Sequence, residues 1–273
     1  MAIEGLAIIG ESINDSVPST NKLFAAYDLD AIKALAKMQD DAGARWIDVN
    51  VGLRTPDFMA NMVREVQSVT AKPLSIDTPD AQIAAAGLDA YDAGRADGKL
   101  PLLNSIALTR TNLFDLCRVQ PFMPILLASE REEDGVSKPN RTAEEVHLTA
   151  NRLVAIARDR AGLENTRCII DPGIAPVGSD TEGFLKMVLG AIRLIHDDPG
   201  LAGVHMSVGL SNFTVMLPPK CADGSPVKSA LESAFLTLAV PLGLDMVIGS
   251  VKRKYELLPE DHPAMQFVLA FHR

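Results

Sequence analysis

Short apolar runs that stop abruptly at a polar side chain recur along this chain, and they constrain the fold more than any other feature. Each run is rich in Ile, Leu and Val, as the buried strands of parallel sheets are. The runs are Ile8-Ile9-Gly10-Glu11, Ile47-Asp48-Val49-Asn50, Leu74-Ser75-Ile76-Asp77, Leu102-Leu103-Asn104, Ile169-Ile170-Asp171 and Ser207-Val208-Gly209-Leu210-Ser211-Asn212. Buried carboxylates, amides and hydroxyls need hydrogen-bond partners. If the ends of these strands meet, the chain carries a ring of carboxylates and carboxamides around one cavity.

Segments with helical periodicity separate these runs. Asp30 is predicted to cap a helix whose apolar positions have helical spacing, and Thr142 with Glu145 forms a capping box before a long helix. In all, eight strand-type stretches alternate with helices, and no Pro/Gly/Ser-rich linker interrupts them. We therefore predict an α/β fold, a (β/α)8 TIM barrel in which residues 1–273 form a single domain. A doubly wound open sheet is the alternative, but polar residues end most strands, which favours a barrel with one open face.

Two segments have a less certain place in this pattern. The loop from Ser129 to Asn140 is the most polar of the chain, and it predicts either a mobile flap or a solvated loop. After the eighth strand, a final helix is expected to begin near Val251 and to resume at Pro263. The only dense basic run, Lys252-Arg253-Lys254, would either bind an anionic group at the barrel rim or form a solvated first turn of that helix.

The charge and hydropathy of the chain limit its possible partners. The formal net charge is −9, which argues against binding to nucleic acid or to an anionic membrane. No apolar segment approaches the roughly 18 uncharged residues of a membrane span, and the amino terminus has no signal-peptide pattern. Cys117, Cys168 and Cys221 lie far apart, as expected for reduced thiols. We expect a cytoplasmic homodimer.

The histidines and cysteines do not suggest a metal site. A zinc site that activates a thiol would need three clustered Cys or His ligands, and the five His and three Cys show no such spacing. Neither a Gly-x-Ser-x-Gly elbow nor a Walker loop is present. We predict that this chain binds no metal.

The polar strand ends indicate what the cavity could bind. An ionised Asp only accepts hydrogen bonds, whereas Asn both donates and accepts. Asp77, Asn104, Asp171 and Asn212 would match a flat heterocycle with N–H and NH2 donors on one edge and a carbonyl and ring nitrogen on the other. A pterin is such a ring, whereas two carboxylates would repel a phosphate. The alternative is that each residue merely caps the helix after its strand, which explains any one of them but not four.

These motifs resemble those of a known family. The pterin-binding motifs of the corrinoid-dependent methyltetrahydrofolate methyltransferases are similar to four strand ends: Ile76-Asp77-Thr78, Leu103-Asn104-Ser105, Ile170-Asp171-Pro172 and Gly209-Leu210-Ser211-Asn212. The family's G-E-x-I-N and D-x-N-x-G segments look like Gly10-Glu11-Ser12-Ile13-Asn14 and Asp48-Val49-Asn50-Val51-Gly52. The likeness runs along nearly the whole chain. It is greatest to methyltetrahydrofolate:corrinoid protein methyltransferases and to the tetrahydrofolate methyltransferase components of anaerobic O-demethylase and glycine-betaine demethylase systems.

The resemblance implies a role for each matching residue. Asp171 would receive the N-3 hydrogen and the 2-amino group of the pterin. Asp77 and Asn104 would hold the opposite side, around N-1 and N-8. Asn212 would face N-5, the atom that carries the methyl group, and would be the catalytic residue. The other residues expected around the pterin and at the rim are Glu11, Asn14, Asp48, Asn50 and Ser211.

The implied reaction is an SN2 transfer of a methyl group between the cobalt of a corrinoid protein and N-5 of tetrahydrofolate. It would form methyltetrahydrofolate in a demethylation pathway. A hydrogen bond from the Asn212 amide to N-5 would strengthen as charge develops there. Tetrahydrofolate would be the substrate, and the cobalamin would arrive on a separate partner protein because the chain has no Asp-x-His-x-x-Gly motif. The loop from Phe213 to Lys220 is apolar where the family has a polar one. It would face the corrinoid or its carrier, or pack over the barrel mouth.

Two alternatives of different kinds stay open. Dihydropteroate synthase shares such a pterin pocket, but its strand-seven Lys, which suits a departing pyrophosphate, has Asn212 or Ser211 in its place here. A non-catalytic folate-binding or carrier-docking protein would keep the same motifs, and only an activity assay separates it from an enzyme.

Overall fold

Eight parallel strands close into a barrel in the computed structural model, which describes residues 3–221 and 224–272 apart from the side chain of His272. The barrel strands are β1 (Ala7–Asn14), β2 (Trp46–Asn50), β3 (Leu74–Asp77), β4 (Leu102–Ile106), β5 (Met123–Leu127), β8 (Ile169–Asp171), β9 (His205–Gly209) and β10 (Met246–Gly249). The closure is complete because β1 pairs with both β2 and β10. The predicted (β/α)8 barrel is confirmed.

Helices surround the barrel. In the described residues they are α1 (Pro18–Ala26), α2 (Leu29–Asp41), α3 (Pro56–Gln67), α4 (Ala81–Ala90), α5 (Ala143–Ala161), α6 (Phe184–Asp197), α7 (Val227–Ala239) and α8 (Pro263–His272). A 3-10 segment, Leu108–Arg118, takes the place of an α-helix after β4, and a 3-10 turn, Leu210–Thr214, follows β9. No helix in the described ranges is long and apolar enough to cross a membrane.

Side-chain caps set where two of these helices begin. Thr142 accepts a hydrogen bond from the Glu145 N–H at 3.2 Å, which is one half of the capping box predicted for α5. The Glu145 carboxylate accepts from the Arg141 N–H at 2.6 Å and not from the Thr142 N–H. The prediction that Asp30 caps α2 is wrong, because Asp28 accepts the bond from the Ala31 N–H at 3.0 Å. The apolar periodicity places this helix but does not distinguish between two Asp residues that flank its first apolar position.

Two apolar layers hold the barrel together. Ile9, Leu102, Ile125, Ile169 and Met246 form a floor inside the barrel, each at most 2% exposed. A larger layer fills the space between the strands and the helices. Because side chains alternate along a strand, every second residue belongs to the interior. The polar residues near the strand ends therefore lie above an apolar floor.

The polar loop after β5 is a regular β-hairpin. Its strands are β6 (Glu130–Glu133) and β7 (Val136–Pro139), joined by an Asp134-Gly135 turn in which both residues have positive φ. At its base, the Asn140 side chain donates to the Ala128 carbonyl at 2.8 Å and to the Thr149 hydroxyl at 2.9 Å. The flap and loop interpretations both missed this pairing.

The expected helix near Val251 does not form. The chain after β10 runs without helix as far as α8, which begins at Pro263. Ser233 and Thr237 of α7 accept hydrogen bonds from the N–H groups of Glu256 at 3.2 Å and Leu258 at 2.9 Å. These bonds use backbone donors that a helix would have used, so the segment is fixed along α7.

Candidate active site

The residues predicted to form the site lie on one side of the barrel, at or near the carboxyl ends of six strands. They are Glu11 and Asn14 of β1, Asp48 and Asn50 of β2, Asp77 of β3, Asn104 of β4, Asp171 of β8, and Ser211 and Asn212 in the turn after β9. Strand register brings some together directly: Asp77 is the neighbour of Asn104, and Asn14 is the neighbour of Asn50. Their role in ligand binding stays a prediction.

Asn50 and Asp77 are joined across β2 and β3. The Asn50 amide donates to a carboxylate oxygen of Asp77 at 2.9 Å. The amide oxygen of Asn50 accepts from the Gly52 N–H, also at 2.9 Å, which fixes the side-chain orientation. Asn50 thus occupies one oxygen of Asp77, and the other oxygen can accept a hydrogen bond from a ligand.

Asp48 lies below this pair and is fully buried, with 0% exposure. Burial, and then the charge of Asp77, raises the pKa of Asp48 well above its usual range. Burial also raises the pKa of Asp77, but the hydrogen bond from Asn50 opposes that rise. Asp48 therefore retains its proton to higher pH than Asp77 does, and Asp77 is the member of the pair that ionises first.

Asp171 faces this pair from β8. One of its carboxylate oxygens accepts the Gly173 N–H at 2.8 Å. Burial raises the pKa of Asp171 to about 6, against the lowering effect of that hydrogen bond. Gly173 has φ +81°, and a Cβ there would lie 2.5 Å from the Cβ of Ser129. Only glycine fits this turn, so backbone geometry explains the glycine in Asp171-Pro172-Gly173 independently of any role in the site.

Glu11 and Ser211 connect the first strand with the turn after β9. The Ser211 hydroxyl donates to the Glu11 carboxylate. Burial raises the pKa of Glu11, whereas the Ser211 bond and then the charge of Arg253 lower it. The bond fixes the start of the turn that presents Asn212.

Asn212 differs from the other predicted residues because it is exposed to solvent. In the part of the chain that the structure describes, its side-chain amide makes no hydrogen bond. The amide folds back over Gly209, where an added Cβ would lie 2.8 Å from the side-chain nitrogen. The structure thus holds an unpaired amide above a group of partly buried carboxyls.

Comparison with known proteins decides the family. Residues 13–249 match the family described as pterin binding enzyme.

The chain belongs to the pterin-binding enzymes.

This family includes relatives with different reactions. The chain is 25% identical to "Methylcorrinoid:tetrahydrofolate methyltransferase" of Eubacterium limosum, over 98% of this chain and 97% of the relative. Solved structures with the same fold include the dihydropteroate synthases of Vibrio fischeri and Thermus thermophilus, the second in complex with 6HMPPP. Their TM-scores are 0.62 and 0.59, at 15% and 16% identity, over 97% of this chain and 92% and 91% of theirs. At this identity they show the fold alone.

The sequence did not indicate two ion pairs of this pterin-binding enzyme. Arg110 donates to the carbonyl of Ser105 at 3.0 Å and to its hydroxyl at 3.1 Å, and lies 3.4 Å from Glu130. Arg253 forms an ion pair with Glu232, which is fully buried on α7. The two ion pairs join residues 20 and 21 positions apart, and no local motif signals either pairing.

The basic run Lys252-Arg253-Lys254 is not a cluster of free cations. Arg253 is paired with Glu232, and Lys254 lies 3.2 Å from Glu256. Only Lys252 of the three has no ion pair among the described residues, and it is exposed. The segment is also not a helical turn, so that alternative is wrong, whereas binding of an anionic group by this run stays a prediction.

The arrangement suits a neutral ring with several N–H donors. Two ionisable carboxyls, Asp77 and Asp171, end strands β3 and β8, which are separated in the barrel by β4 and β5, and the amides of Asn104 and Asn212 lie in β4 and in the turn after β9. Among residues 3–221 and 224–272, no group of three His, Cys, Asp or Glu side chains is placed to hold a metal ion. Recognition by hydrogen bonds to a pterin edge is the chemistry that these side chains offer.

Proposed function

We propose that this pterin-binding enzyme moves a methyl group between a methylated corrinoid protein and N-5 of tetrahydrofolate, forming methyltetrahydrofolate in a demethylation pathway. The observation that carries the proposal is the end-to-end similarity to a relative named methylcorrinoid:tetrahydrofolate methyltransferase. A site feature agrees with it. The position after β9 holds an uncharged, exposed amide, Asn212, where a pyrophosphate-releasing enzyme would need a cation.

The carboxyls would bind the pterin ring. Asp171 would accept from N-3 and the 2-amino group, and Asp77 with Asn104 would hold the side around N-1 and N-8. The raised pKa of Asp48 supports this assignment because a protonated Asp48 leaves Asp77 as the acceptor. Hydrogen bonds to a charged acceptor contribute roughly 1.5–3 kcal/mol each, enough for two carboxylates to fix the orientation of the ring.

Asn212 would act on N-5 during the transfer. In the forward reaction N-5 attacks the methyl carbon, the bond from that carbon to cobalt breaks with its electron pair left on the metal, and N-5 releases a proton. An amide suits both states of N-5, because it donates to a nitrogen lone pair and accepts from an N–H. Because the Asn212 amide makes no hydrogen bond among the described residues, it does not have to break one before it bonds to N-5. Solvent reaches this position and would take up the proton.

The corrinoid is expected as a substrate on a separate protein. The exposed apolar side chains of Leu53, Val215 and Met216 follow β2 and β9 on the side of the barrel that carries the site. These side chains suit contact with a large, partly apolar partner.

The test is methyl transfer from purified methylated corrinoid protein to tetrahydrofolate, followed by the cobalt absorbance change and by formation of methyltetrahydrofolate. We expect stoichiometric transfer that depends on this protein. If folate binds but no methyl group moves in either direction, the protein is a folate-binding or carrier-docking protein. Formation of dihydropteroate from p-aminobenzoate and a pterin pyrophosphate would instead identify a dihydropteroate synthase.

A further inference from the structure

The turn that carries Asn212 is held from below by neighbouring buried side chains. Asn212 is exposed, whereas the next two residues, Phe213 and Thr214, are 1% and 0% exposed. With Ser211 bonded to Glu11 on the other side, Asn212 is the only residue of positions 211–214 whose side chain is free to meet a ligand. Its direction therefore depends on how its neighbours are anchored.

Helix α7 provides the anchor. The Thr214 hydroxyl donates to one oxygen, Oε1, of Glu232, and the ring of Phe213 packs on Phe235 with centroids 5.2 Å apart. Glu232 is 0% exposed, so it lies beneath the turn and cannot itself reach a ligand in the mouth. A buried carboxylate stays in such a place only when charge and hydrogen bonds compensate for its lost hydration.

Arg253 supplies that compensation from the segment after β10. Its guanidinium donates to the same Oε1 atom that accepts from Thr214. The other oxygen of Glu232 has no partner among the described residues. The contacts of Glu232 with Thr214 and Arg253 are thus concentrated on one atom, which couples the turn after β9 to the segment after β10.

We propose that Glu232 is a positioning residue for methyl transfer: through the Thr214 hydroxyl, and held by Arg253, it fixes the direction of the Asn212 amide. The inference rests on the function proposed above and assigns a role to residues that no ligand touches. Displacing a reacting group by about 1 Å through a remote substitution can reduce a rate about 10²-fold. Loosening the turn should therefore slow the transfer much more than it weakens folate binding.

The test uses Thr214→Val, which keeps the shape of the side chain and removes its hydroxyl. We expect single-turnover methyl transfer to slow by about 10- to 100-fold, with folate affinity within about threefold of the wild type. Glu232→Met, which keeps the length of the side chain and removes the oxygen that accepts from Thr214, should slow transfer in the same way. Thr149→Val is the matched control, because Thr149 is also buried and bonded to a side chain, Asn140, but lies on α5.

A double variant separates positioning from a general structural effect. If Thr214 acts through Asn212, adding Thr214→Val to Asn212→Ala should change the rate by less than about twofold, since the group it positions is already absent. Full additivity would overturn the inference. Hydrogen exchange gives a readout without catalysis: backbone amides of residues 210–217 should exchange faster in Thr214→Val, and those of α5 should not.

The outcomes distinguish this inference from the proposed function. If the wild type transfers methyl groups and Thr214→Val is as fast, Glu232 is not a positioning residue and the proposed function stands. If the wild type does not transfer methyl groups at all, both the proposed function and the positioning role are wrong, even where hydrogen exchange shows that Glu232 orders the turn.

Discussion

The Asn50 amide donates to the Asp77 carboxylate at 2.9 Å, across the ends of two neighbouring strands. Asn50 fills one acceptor site of Asp77 and so orients this carboxyl group. Burial raises the pKa of Asp48 further than that of Asp77, so Asp77 ionises before Asp48. The contact explains why an amide and a carboxylate occur together at the ends of β2 and β3. It also gives the first test of the site.

Asp77→Asn should weaken folate binding by about tenfold or more. The substitution places an NH2 donor opposite the ring donors, and a loss of about 1.4 kcal/mol is a factor of ten. Calorimetric titration with tetrahydrofolate measures the change. Asp80→Asn is the control, because Asp80 only caps α4, a role that Asn fills equally well. Unchanged affinity for the Asp77 variant would mean that the pterin binds elsewhere.

Asp171→Asn should stabilise the free protein at neutral pH while it weakens folate binding. The folded-state pKa of Asp171 is about 6, above its usual value, so the ionised form opposes folding. The protonated form of Asp171 stabilises the fold. This contribution is complete below about pH 4 and is lost as the pH rises through 6. The difference in melting temperature between variant and wild type should therefore be largest above pH 6 and shrink towards pH 4. A variant that melts below the wild type at pH 7.5 would contradict this.

Arg253→Gln should destabilise the fold strongly. It leaves the carboxylate of Glu232 buried without its cation, and breaking a buried pair costs about 3–5 kcal/mol. Lys254→Gln removes a cation only one residue away whose pair with Glu256 is exposed, so it should cost less than about 1 kcal/mol. Urea denaturation of both variants measures the two free energies of unfolding. Equal values would show that the Arg253 pair is not buried in solution.

The sequence predicted the features that local chemistry determines. Strand ends such as Ile76-Asp77 and Ile170-Asp171 are visible because an apolar run stops at an acid, and a barrel brings such ends to one side. A helix was wrongly predicted after β10. The backbone N–H groups of this segment donate to Ser233 and Thr237 of α7, and no local sequence pattern reveals these bonds. The pair of Glu232 with Arg253 is likewise a tertiary contact between charges that look solvent-exposed in the sequence.

The proposed methyl transfer depends most on Asn212, whose exposed amide is expected to act on N-5. Loss of one preorganised hydrogen-bonding group typically costs about 10²–10³ in turnover, whereas ring binding depends on the carboxyls. Asn112→Ala is the control, because Asn112 is also exposed and its side chain has no hydrogen bond among the described residues, but it lies in the 3-10 segment after β4.

The deciding measurement is single-turnover methyl transfer from methylated corrinoid protein in Asn212→Ala, followed by cobalt absorbance, with folate titration of the same sample. We expect the rate to fall by about 10²–10³ and folate affinity to stay within about tenfold of the wild type. A wild-type rate in Asn212→Ala would contradict the account and remove Asn212 from the chemistry.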